Sequence, residues 1–362
     1  MSVIKVNKIE NTSTTDGGVE IDSSGHVQVD GLQMPTVGQL SNRNLIINGA
    51  MQVSQRSTSA VQIGTGTYSL DRYRAYDNTS GTFTVQQVAD APAGFKNSAK
   101  VTVTTAASSL SSTSQAKFQQ RIEGNVITQL GLGTSAAKTF TLSFYVKSSV
   151  TGTYAIGFIN AANDRSYVAT YSINSANTWE YKTITVQGDT SGTWATDNGI
   201  GLNIQWSLGI GSTYEATAGQ WHASEESHTT SAVDLISTLN ATWQITGVQL
   251  EVGEKATPFE HRSYGDELAK CQRYYEELPS GAKIFMALNA NSTASAYSNG
   301  NVIFKVTKRA TPTVSSTTSG NQSAAISSEA DEAITVYGFA VTGQAQAAGA
   351  YYINSFTANA EL

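Results

Sequence analysis

The sequence predicts a mainly β protein. It has a short N-terminal β leader, an antiparallel β-sandwich of the jelly-roll type, one short helix and a small C-terminal β domain. Three observations predict this class. Charged residues are only 14% of the 362 residues, while glycine contributes 31, and apolar residues alternate with polar ones along many short segments. Turn sequences rich in Asp, Asn, Ser and Gly separate these segments. Such alternation is typical of antiparallel sheets with one packed face and one solvated face.

The leader is predicted to span residues 1–40. Within it, the stretch VEIDSSGHVQV at residues 19–29 has the alternation of a hairpin, with Gly25 in the turn. A segment of this length cannot bury a core alone. Its apolar arms are therefore expected to pair with another copy of the chain or with a partner protein, the alternative being a floppy tail.

The sandwich is predicted to span residues 41–262. Its strongest strand signals are two runs with period 2, one from Phe140 to Val146 and one from Leu202 to Leu208, the second of which includes Trp206. In ATWQITGVQLEVG the apolar phase shifts by one residue after Gly247. A glycine at a phase shift predicts a β-bulge.

A connecting helix is predicted over residues 263–278. Ser263 is placed to cap it, with Asp266 three residues on. A heptad-like apolar stripe follows. The stripe packs either on the chain's own sheet or against copies of itself around a symmetry axis, and the spacing does not decide between the two. In the second case an oligomer interface is formed by Leu268, Cys271, Tyr275 and Leu278.

The C-terminal β domain is predicted to span residues 279–362, with aromatic side chains that could line a tip surface. Aromatic rings stack on the C–H faces of sugars, and an indole N–H adds a hydrogen bond. On this ground the candidate glycan contacts are Trp194, Trp221, Tyr337 and Tyr351. For the two tryptophans the alternative is that they plug the end of the sandwich.

Composition argues against several function classes. The net charge is −6 without a basic stripe, which is not the pattern of a nucleic-acid binder. No apolar stretch reaches the roughly 18 residues of a membrane span, so we expect no membrane insertion. One cysteine allows no disulfide within the chain, and synthesis in a reducing cytosol is expected.

Motifs for catalysis are missing. The sequence has no G-x-S-x-G, H-E-x-x-H or P-loop pattern, so we predict no catalytic residues, no cofactor and no enzyme activity. His222 and His228 flank two glutamates, either as a metal site or as a solvated polar loop. Aspartates in GDTSG and TDNG are either turn residues or calcium ligands, and no metal ligand is assigned.

Four segments together resemble one known family. These are SNRNLIINGAMQVSQR, YSLDRYRAY, ANTWEYKTITVQGDTSGTW and ITGVQLEVGEKATPFEHRSYGDELAKCQRYYE, in this order over about residues 41–277. They resemble tail-fibre and related structural proteins of tailed bacteriophages, especially phages of marine bacteria and cyanobacteria. Where that family often has Trp after Asp-Arg, this chain has Tyr73, which keeps an aromatic residue.

The resemblance implies a jelly-roll module akin to carbohydrate-binding β-sandwiches, carried on a virion and usually trimeric. We therefore expect a virion structural protein, a tail fibre or adhesin. Its leader would attach to phage tail or capsid proteins, and its distal β domains would contact a host-surface glycan or an outer-membrane receptor. Two alternatives stand beside it: a capsid head fibre or decoration protein, and a polysaccharide-cleaving tailspike. The family does not fix which residues touch a receptor.

Overall fold

The computed structural model describes residues 8–10, 18–21, 27–29, 32–33, 41–279, 281–285, 297–320, 326–345 and 351–362. Within these ranges the chain is mainly β, with antiparallel strand pairs throughout. None of the helices in the described part has the length and apolar character needed to cross a bilayer.

The leader forms a four-stranded antiparallel meander with strands β1 Lys8–Glu10, β2 Gly18–Ile21, β3 Val27–Val29 and β4 Leu32–Gln33. The predicted hairpin is confirmed, since Val19 pairs with Val29 and Ile21 with Val27. Opposed residues in a sheet share a face, so one face of the leader is apolar. It stays exposed in the single chain at Ile9, Val19, Ile21, Val27 and Val29.

Two sheets form the sandwich. The strands are β5 Val61–Gln62, β6 Thr65–Tyr68, β7 Tyr73–Asp77, β8 Thr82–Val88, β9 Ser98–Thr105, β10 Gln115–Glu123, β11 Phe140–Ser148, β12 Gly152–Ile159, β13 Ser166–Ile173, β14 Glu180–Val186, β15 Ile200–Ile210, β16 Trp221–His222 and β17 Thr242–Val252. The seven-stranded sheet has the order β16-β13-β12-β15-β10-β7-β6, and the six-stranded sheet has the order β14-β11-β17-β9-β8-β5. This is the β-sandwich that the alternation predicts.

Aromatic side chains fill the space between the two sheets. Phe118 on β10 meets Trp243 on β17 edge to face, with ring centroids 5.7 Å apart, and Phe144 on β11 meets Trp206 on β15 at 6.0 Å. All four are fully buried. Burying one such side chain stabilises the fold by roughly 1.5–3 kcal/mol, so these contacts hold the sheets together.

The predicted bulge lies where the phase shift placed it. Ser143 on β11 pairs with Gln249, whereas Tyr145 pairs with Thr246, so two residues of β17 oppose one of β11. Gly247 has φ of 62° at this point, in the left-handed region that glycine enters without a steric penalty.

Helix α1 is short, Gly124–Ile127, and helix α2 spans Tyr264–Gln272. Short 3₁₀ turns occur at Thr128–Leu130, Ser212–Tyr214 and Leu235–Ser237. The predicted cap of α2 is confirmed, because Ser263 Oγ accepts a hydrogen bond of 3.1 Å from the backbone N–H of Asp266.

The predicted length of this helix is wrong, and so is its stripe. After Gln272 the chain turns and enters strand β18, Tyr275–Leu278, which pairs with the last strand of the protein. Tyr275 and Leu278 therefore do not continue a helical face. A stretch of four residues before a proline is too short for the spacing of its apolar residues to distinguish a helix from a strand. Here pairing with a distant strand decides the conformation.

The C-terminal unit has two small sheets. Its further strands are β19 Ile284–Phe285, β20 Tyr297–Ile303, β21 Thr313–Gly320, β22 Ile326–Glu332, β23 Gly338–Ala345 and β24 Tyr351–Asn359. β24 pairs with β18, β19 and β21, while β23 lies between β20 and β22. A separate small core includes Phe304, Phe339 and Phe356.

The end of the chain returns to the sandwich. The guanidinium of Arg72, which follows the loop before β7, stacks on Tyr274 at 3.5 Å and pairs with Glu361. The backbone oxygen of Leu362 accepts a hydrogen bond of 2.6 Å from the hydroxyl of Tyr68. Two stretches of chain, the segment through α2 and the last residues, thus attach the C-terminal unit to the same end of the sandwich.

Candidate functional site

The outer face of the seven-stranded sheet carries the candidate site. Side chains alternate between the core and this face along each strand, so the neighbours of the core residue Trp206 on β15 point outward. Register places Lys117 opposite Ser207, Gln119 opposite Gln205, and Arg121 opposite Asn203. We call Lys117, Gln119, Arg121, Asn203 and Gln205 the polar row.

A loop segment crosses this face, and we call residues 222–229 the strap. A Cβ atom built on Gly157 of β12 would lie 2.6 Å from the Cβ of Ser227, so the strap sits directly on the sheet. Lys117 Nζ lies 3.3 Å from Glu225 Oε1, and Ser166 Oγ donates a hydrogen bond of 2.7 Å to the backbone oxygen of Ser224. The strap therefore covers the central strands.

His228 anchors the strap at its C-terminal end. Its Nδ1 lies 2.7 Å from Ser207 Oγ, and its Nε2 lies 3.3 Å from Asp234 Oδ1. The imidazole and the Ser207 hydroxyl are both buried. The reading of this segment as a solvated loop is thus wrong at His228, and the three side chains fasten the strap to β15.

An open groove lies beside the strap, with a cavity volume of about 600 Å³. Its floor includes Thr153 of β12 and Thr170 of β13, and Glu215 is its one carboxylate, accepting a hydrogen bond of 2.9 Å from Thr230 Oγ1. We call it the hydroxyl groove, since seven of its ten lining residues carry a hydroxyl: Thr153, Thr170, Ser212, Thr217, Thr229, Thr230 and Ser231. Hydroxyl groups both donate and accept, so the groove suits a polyhydroxylated ligand.

The polar row contains buried side-chain atoms without partners. Gln119 is 0% exposed, Gln205 1% and Asn203 6%. Both amide atoms of Gln119, the Oε1 of Gln205 and the Oδ1 of Asn203 have no hydrogen-bond partner. A buried polar group left unpaired costs roughly 1–3 kcal/mol. This face is therefore unfavourable for stability, and such sites call for an explanation in terms of function or bound solvent.

Positive charge collects along the same face. Arg74 on β7 lies opposite Gln119, and burial together with the nearby Arg121 charge lowers the pKa of its guanidinium. Burial lowers the pKa of Lys117 to about 8, against the attraction of Glu225. Like charges held together in a partly dry place favour an anionic partner.

The titration of Lys117 gives a stability prediction. Below about pH 8 the ammonium is charged in the folded and the unfolded chain, and its contribution is constant. Between about pH 8 and 10.5 the unfolded chain holds a proton that the folded chain has lost, so the free energy of unfolding rises with pH, by roughly 3 kcal/mol in total.

The buried tyrosines, whose pKa values are raised, lower the free energy of unfolding at high pH. The effect of Lys117 is therefore measured as the difference between the parent protein and a variant without this lysine. Urea unfolding of the protein and of Lys117→Met should be compared from pH 7 to 10.5. From pH 7 to 10.5 the free energy of unfolding of the parent protein should rise, relative to that of the variant, by roughly 3 kcal/mol. Parallel pH profiles would contradict the burial of a charged Lys117.

The two tryptophans named from the sequence lie together at the edge of the sandwich. Trp194 is 7% exposed, and its indole N–H donates to the backbone oxygen of Ser191 at 3.1 Å. Trp221 on β16 packs edge-on against it, with centroids 5.6 Å apart, and donates to the backbone oxygen of Gln187 at 2.8 Å. These contacts agree with the second possibility for the two tryptophans, in which they pack at the end of the sandwich. Trp194 has no free ring face for a sugar.

The two tyrosines named from the sequence belong to the C-terminal unit, not to the face with the strap. Tyr337 precedes β23 and is 67% exposed, so its ring is available to a partner. The Tyr351 side chain lies outside the described residues. Tyr337 therefore stays a prediction for a second contact surface.

The residues assigned to an oligomer interface do not form one surface. Cys271 is a free thiol and is fully buried inside the single chain, and Tyr275 is nearly so. Leu278 packs against the small core of the C-terminal unit. Leu268 on α2 and Leu278 on β18 are both half-exposed, but they lie on different elements. The prediction of an oligomer interface along this stripe is therefore wrong. Most of the stripe packs within the single chain, where the two units join.

Loop aspartates act as turn residues. Asp189 accepts two hydrogen bonds of 2.7 Å from Arg165, and Asp197 Oδ1 accepts one of 2.8 Å from the N–H of Gly199. Within the described residues no group of three or more His, Cys, Asp or Glu side chains is arranged to hold a metal ion.

The polar row was missed from the sequence, although a signal for it exists. In QAKFQQRIE and GLNIQWSLG the apolar phase marks the core, and alternation alone predicts a solvated surface for the complementary phase. That phase holds long amide and cationic side chains on two adjacent strands. A loop that returns over them cannot be read from alternation.

No family model matches the sequence, and no curated protein matches it. Several solved structures are similar. The enzymatically active domain of tailspike protein 4 of bacteriophage CBA120 has a TM-score of 0.32 and 16% identity, with 58% of this chain and 22% of that chain covered. A putative sugar binding protein from Bacteroides thetaiotaomicron has a TM-score of 0.33 and 12% identity, with 58% and 100% covered.

A third similar structure is the family 11 carbohydrate-binding module of a cellulosomal cellulase from Clostridium thermocellum. Its TM-score is 0.26 and its identity 15%, with 57% of this chain and 99% of the module covered. All three scores are low, so the function has to be inferred from the chain's own residues.

Proposed function

We propose that this protein is a structural adhesin of a bacteriophage particle, a tail fibre that binds a host-surface polysaccharide without cleaving it. The observation that carries the binding part is the outer face of the seven-stranded sheet. There the hydroxyl groove lies open beside a row of buried amides, of which Gln119, Gln205 and Asn203 have at least one polar atom without a hydrogen-bond partner. A ligand with many hydroxyl groups supplies the donors and acceptors that this face needs.

The phage part of the proposal comes from the resemblance of the four sequence segments, and the leader agrees with it. Its exposed apolar face, which includes Ile9 and Ile21, needs a cover, and residues 1–40 would find it on sister subunits or on a virion protein. A shallow sugar site of about millimolar affinity corresponds to about −4 kcal/mol. Several copies on one particle would raise the overall affinity for the host surface through avidity.

Binding is tested with the full chain on immobilised host-envelope polysaccharides. Thr170 is an exposed threonine on the floor of the hydroxyl groove, and Thr183 is an exposed threonine on β14 of the other sheet. Thr170→Trp should fill the groove and reduce binding at least tenfold, whereas Thr183→Trp should bind as the parent does. Equal binding by both variants would remove the groove from the proposal.

Location, assembly and cleavage need separate measurements. Antibody labelling of intact particles should place the protein on the tail, and label on the head would favour the decoration-protein alternative.

Sedimentation should give a trimer, and a monomer at micromolar concentration would contradict the role of the leader. Incubation with the bound polysaccharide should leave its length unchanged, and shortened products would indicate the tailspike alternative.

A further inference from the structure

The polar row has a chemical bias beyond a general suitability for hydroxyl groups. Its basic members, Lys117 and Arg121, stand on the same strand with Gln119 between them, and Arg74 lies across from Gln119. Within the described residues Arg74 forms no ion pair, and its guanidinium lies 5.5 Å from the ring centre of Tyr76. The open flank of the row is therefore cationic in a protein whose net charge is −6.

Glu225 is the carboxylate that meets this cationic flank. It belongs to the strap, its side chain is 22% exposed, and its Oε1 lies 3.3 Å from Lys117 Nζ. The neighbouring Glu226 has a buried Oε2 without a hydrogen-bond partner. The strap thus supplies one anionic group to Lys117, while the amides beneath and beside it remain unsatisfied.

We propose that the ligand of this face is an acidic glycan, whose sugar carboxylate replaces Glu225 on Lys117 and lies between Lys117 and Arg121. Once the Glu225 side chain is displaced, sugar hydroxyls pair with both amide atoms of Gln119, with Oε1 of Gln205 and with Oδ1 of Asn203, which have no hydrogen-bond partner within the described residues. Without ligand, Glu225 thus occupies the position on Lys117 that the ligand carboxylate takes. The inference rests on the proposed function, since it names the class of polysaccharide that the chain binds.

Two properties of the row support this choice over a neutral glycan. Arg121 already donates a hydrogen bond of 2.7 Å to the backbone oxygen of Leu362. A neutral sugar would satisfy the amides but would leave Arg74, which forms no ion pair within the described residues, without an anion. A carboxylate accepts charge-assisted hydrogen bonds from Lys and Arg, which are stronger than those between neutral groups. The exchange also keeps charge balanced, because one carboxylate leaves Lys117 as another arrives.

The test measures binding of the full chain to three uronate polysaccharides, polygalacturonate, alginate and hyaluronan, and to their carboxyl-reduced counterparts. Reduction turns each carboxylate into a neutral alcohol and keeps the sugar skeleton. At least one acidic polymer should bind about tenfold or more tightly than its reduced form, and the gap should shrink as salt is raised.

Variants then assign the effect to the row. Lys117→Gln and Arg121→Gln should each weaken binding of the acidic polymer about tenfold without changing binding of the reduced one. Glu225→Gln should strengthen it several-fold, a direction that a damaged fold does not produce. The matched control is Lys182→Gln, which removes a lysine paired with Glu180 on the other sheet and should change nothing.

Each outcome bears on the proposal. Equal binding of the acidic and reduced forms, or a Glu225→Gln variant that binds no more tightly, overturns the acidic ligand and leaves a polysaccharide adhesin intact. Binding only to neutral host polysaccharides has the same meaning. Failure to bind the uronates and every host-envelope polysaccharide overturns this inference and the proposed function together.

Discussion

Replacing Lys308 with alanine is expected to destabilise the C-terminal unit by about 3–5 kcal/mol. The Lys308 ammonium is 0% exposed and donates hydrogen bonds of 2.6 Å to Glu276 Oε2 and to the backbone oxygen of Gln272. Burial lowers its pKa in spite of the attraction of Glu276. Without the lysine, the buried Glu276 carboxylate loses its ion-pair partner and keeps the longer hydrogen bonds of 3.2 and 3.3 Å from the backbone N–H of Lys305. Leaving this charge buried without a cation costs far more than the pair contributes.

Hydrogen exchange along β21 and β24, together with thermal unfolding, measures this loss. The matched control is the double variant Lys308→Met with Glu276→Gln, which removes both charges and keeps the volume. It should lie much closer to the parent protein than the single variant does. A single variant within 1 kcal/mol of the parent, on the scale of an exposed pair, would contradict the burial of this ion pair.

Replacing Arg72 with alanine is expected to cost a similar 3–5 kcal/mol and to loosen the C-terminal unit from the sandwich. Arg72 is 1% exposed; it pairs with Glu361 and stacks on Tyr274. Its removal leaves the buried Glu361 carboxylate with Arg56 as its remaining ion-pair partner, at 3.3 Å, within the described residues. The loss of the stacked guanidinium also opens a gap between the two units.

Calorimetry separates loosening from global damage. We expect the parent to unfold with the two units coupled, and Arg72→Ala to show an additional transition at lower temperature, accompanied by protease cleavage near residues 279–281. Arg74→Ala, which removes a neighbouring arginine that does not touch Glu361, is the control and should keep the units coupled. An unchanged single transition for Arg72→Ala would mean that other contacts hold the joint.

Two of the segments that carry the phage resemblance, residues 41–56 and 245–276, build this joint. Gln55 donates from Nε2 to the backbone oxygen of Tyr275 at 2.8 Å, and Arg262 donates to the backbone oxygen of Ile46 at 3.0 Å. The backbone N–H of Asn48 donates to Glu267. Segments far apart in sequence thus form one bonded unit. The resemblance therefore bears more on how the two β units are connected than on what they bind.

Much of the fold could be predicted from the sequence because alternation follows directly from packing one face of a strand. It located the hairpin of the leader, the strands through Phe144 and Trp206, and the bulge at Gly247. The helix boundary could not be predicted in the same way. Tyr275 joins a strand whose partner, Asn359, is far along the chain, and local spacing contains no information about that partner.

The candidate site was harder to predict for a related reason. Stacking is a local property of an aromatic ring, so the sequence points to Trp194, whereas in the fold this indole is buried and bonded to the backbone of Ser191. The polar row depends on three separate segments: β10, β15 and the strap that returns over them. Which polar side chains become buried without partners is a property of the assembled sheet.

Hydrogen exchange of the full chain with and without the polysaccharide it binds tests the central claim most directly. The account predicts that added protection is concentrated in β10, β15 and residues 212–231, with little change in the six-stranded sheet. Protection confined to the C-terminal unit around Tyr337, or spread evenly over both sheets, would contradict a binding site on the outer face of the seven-stranded sheet.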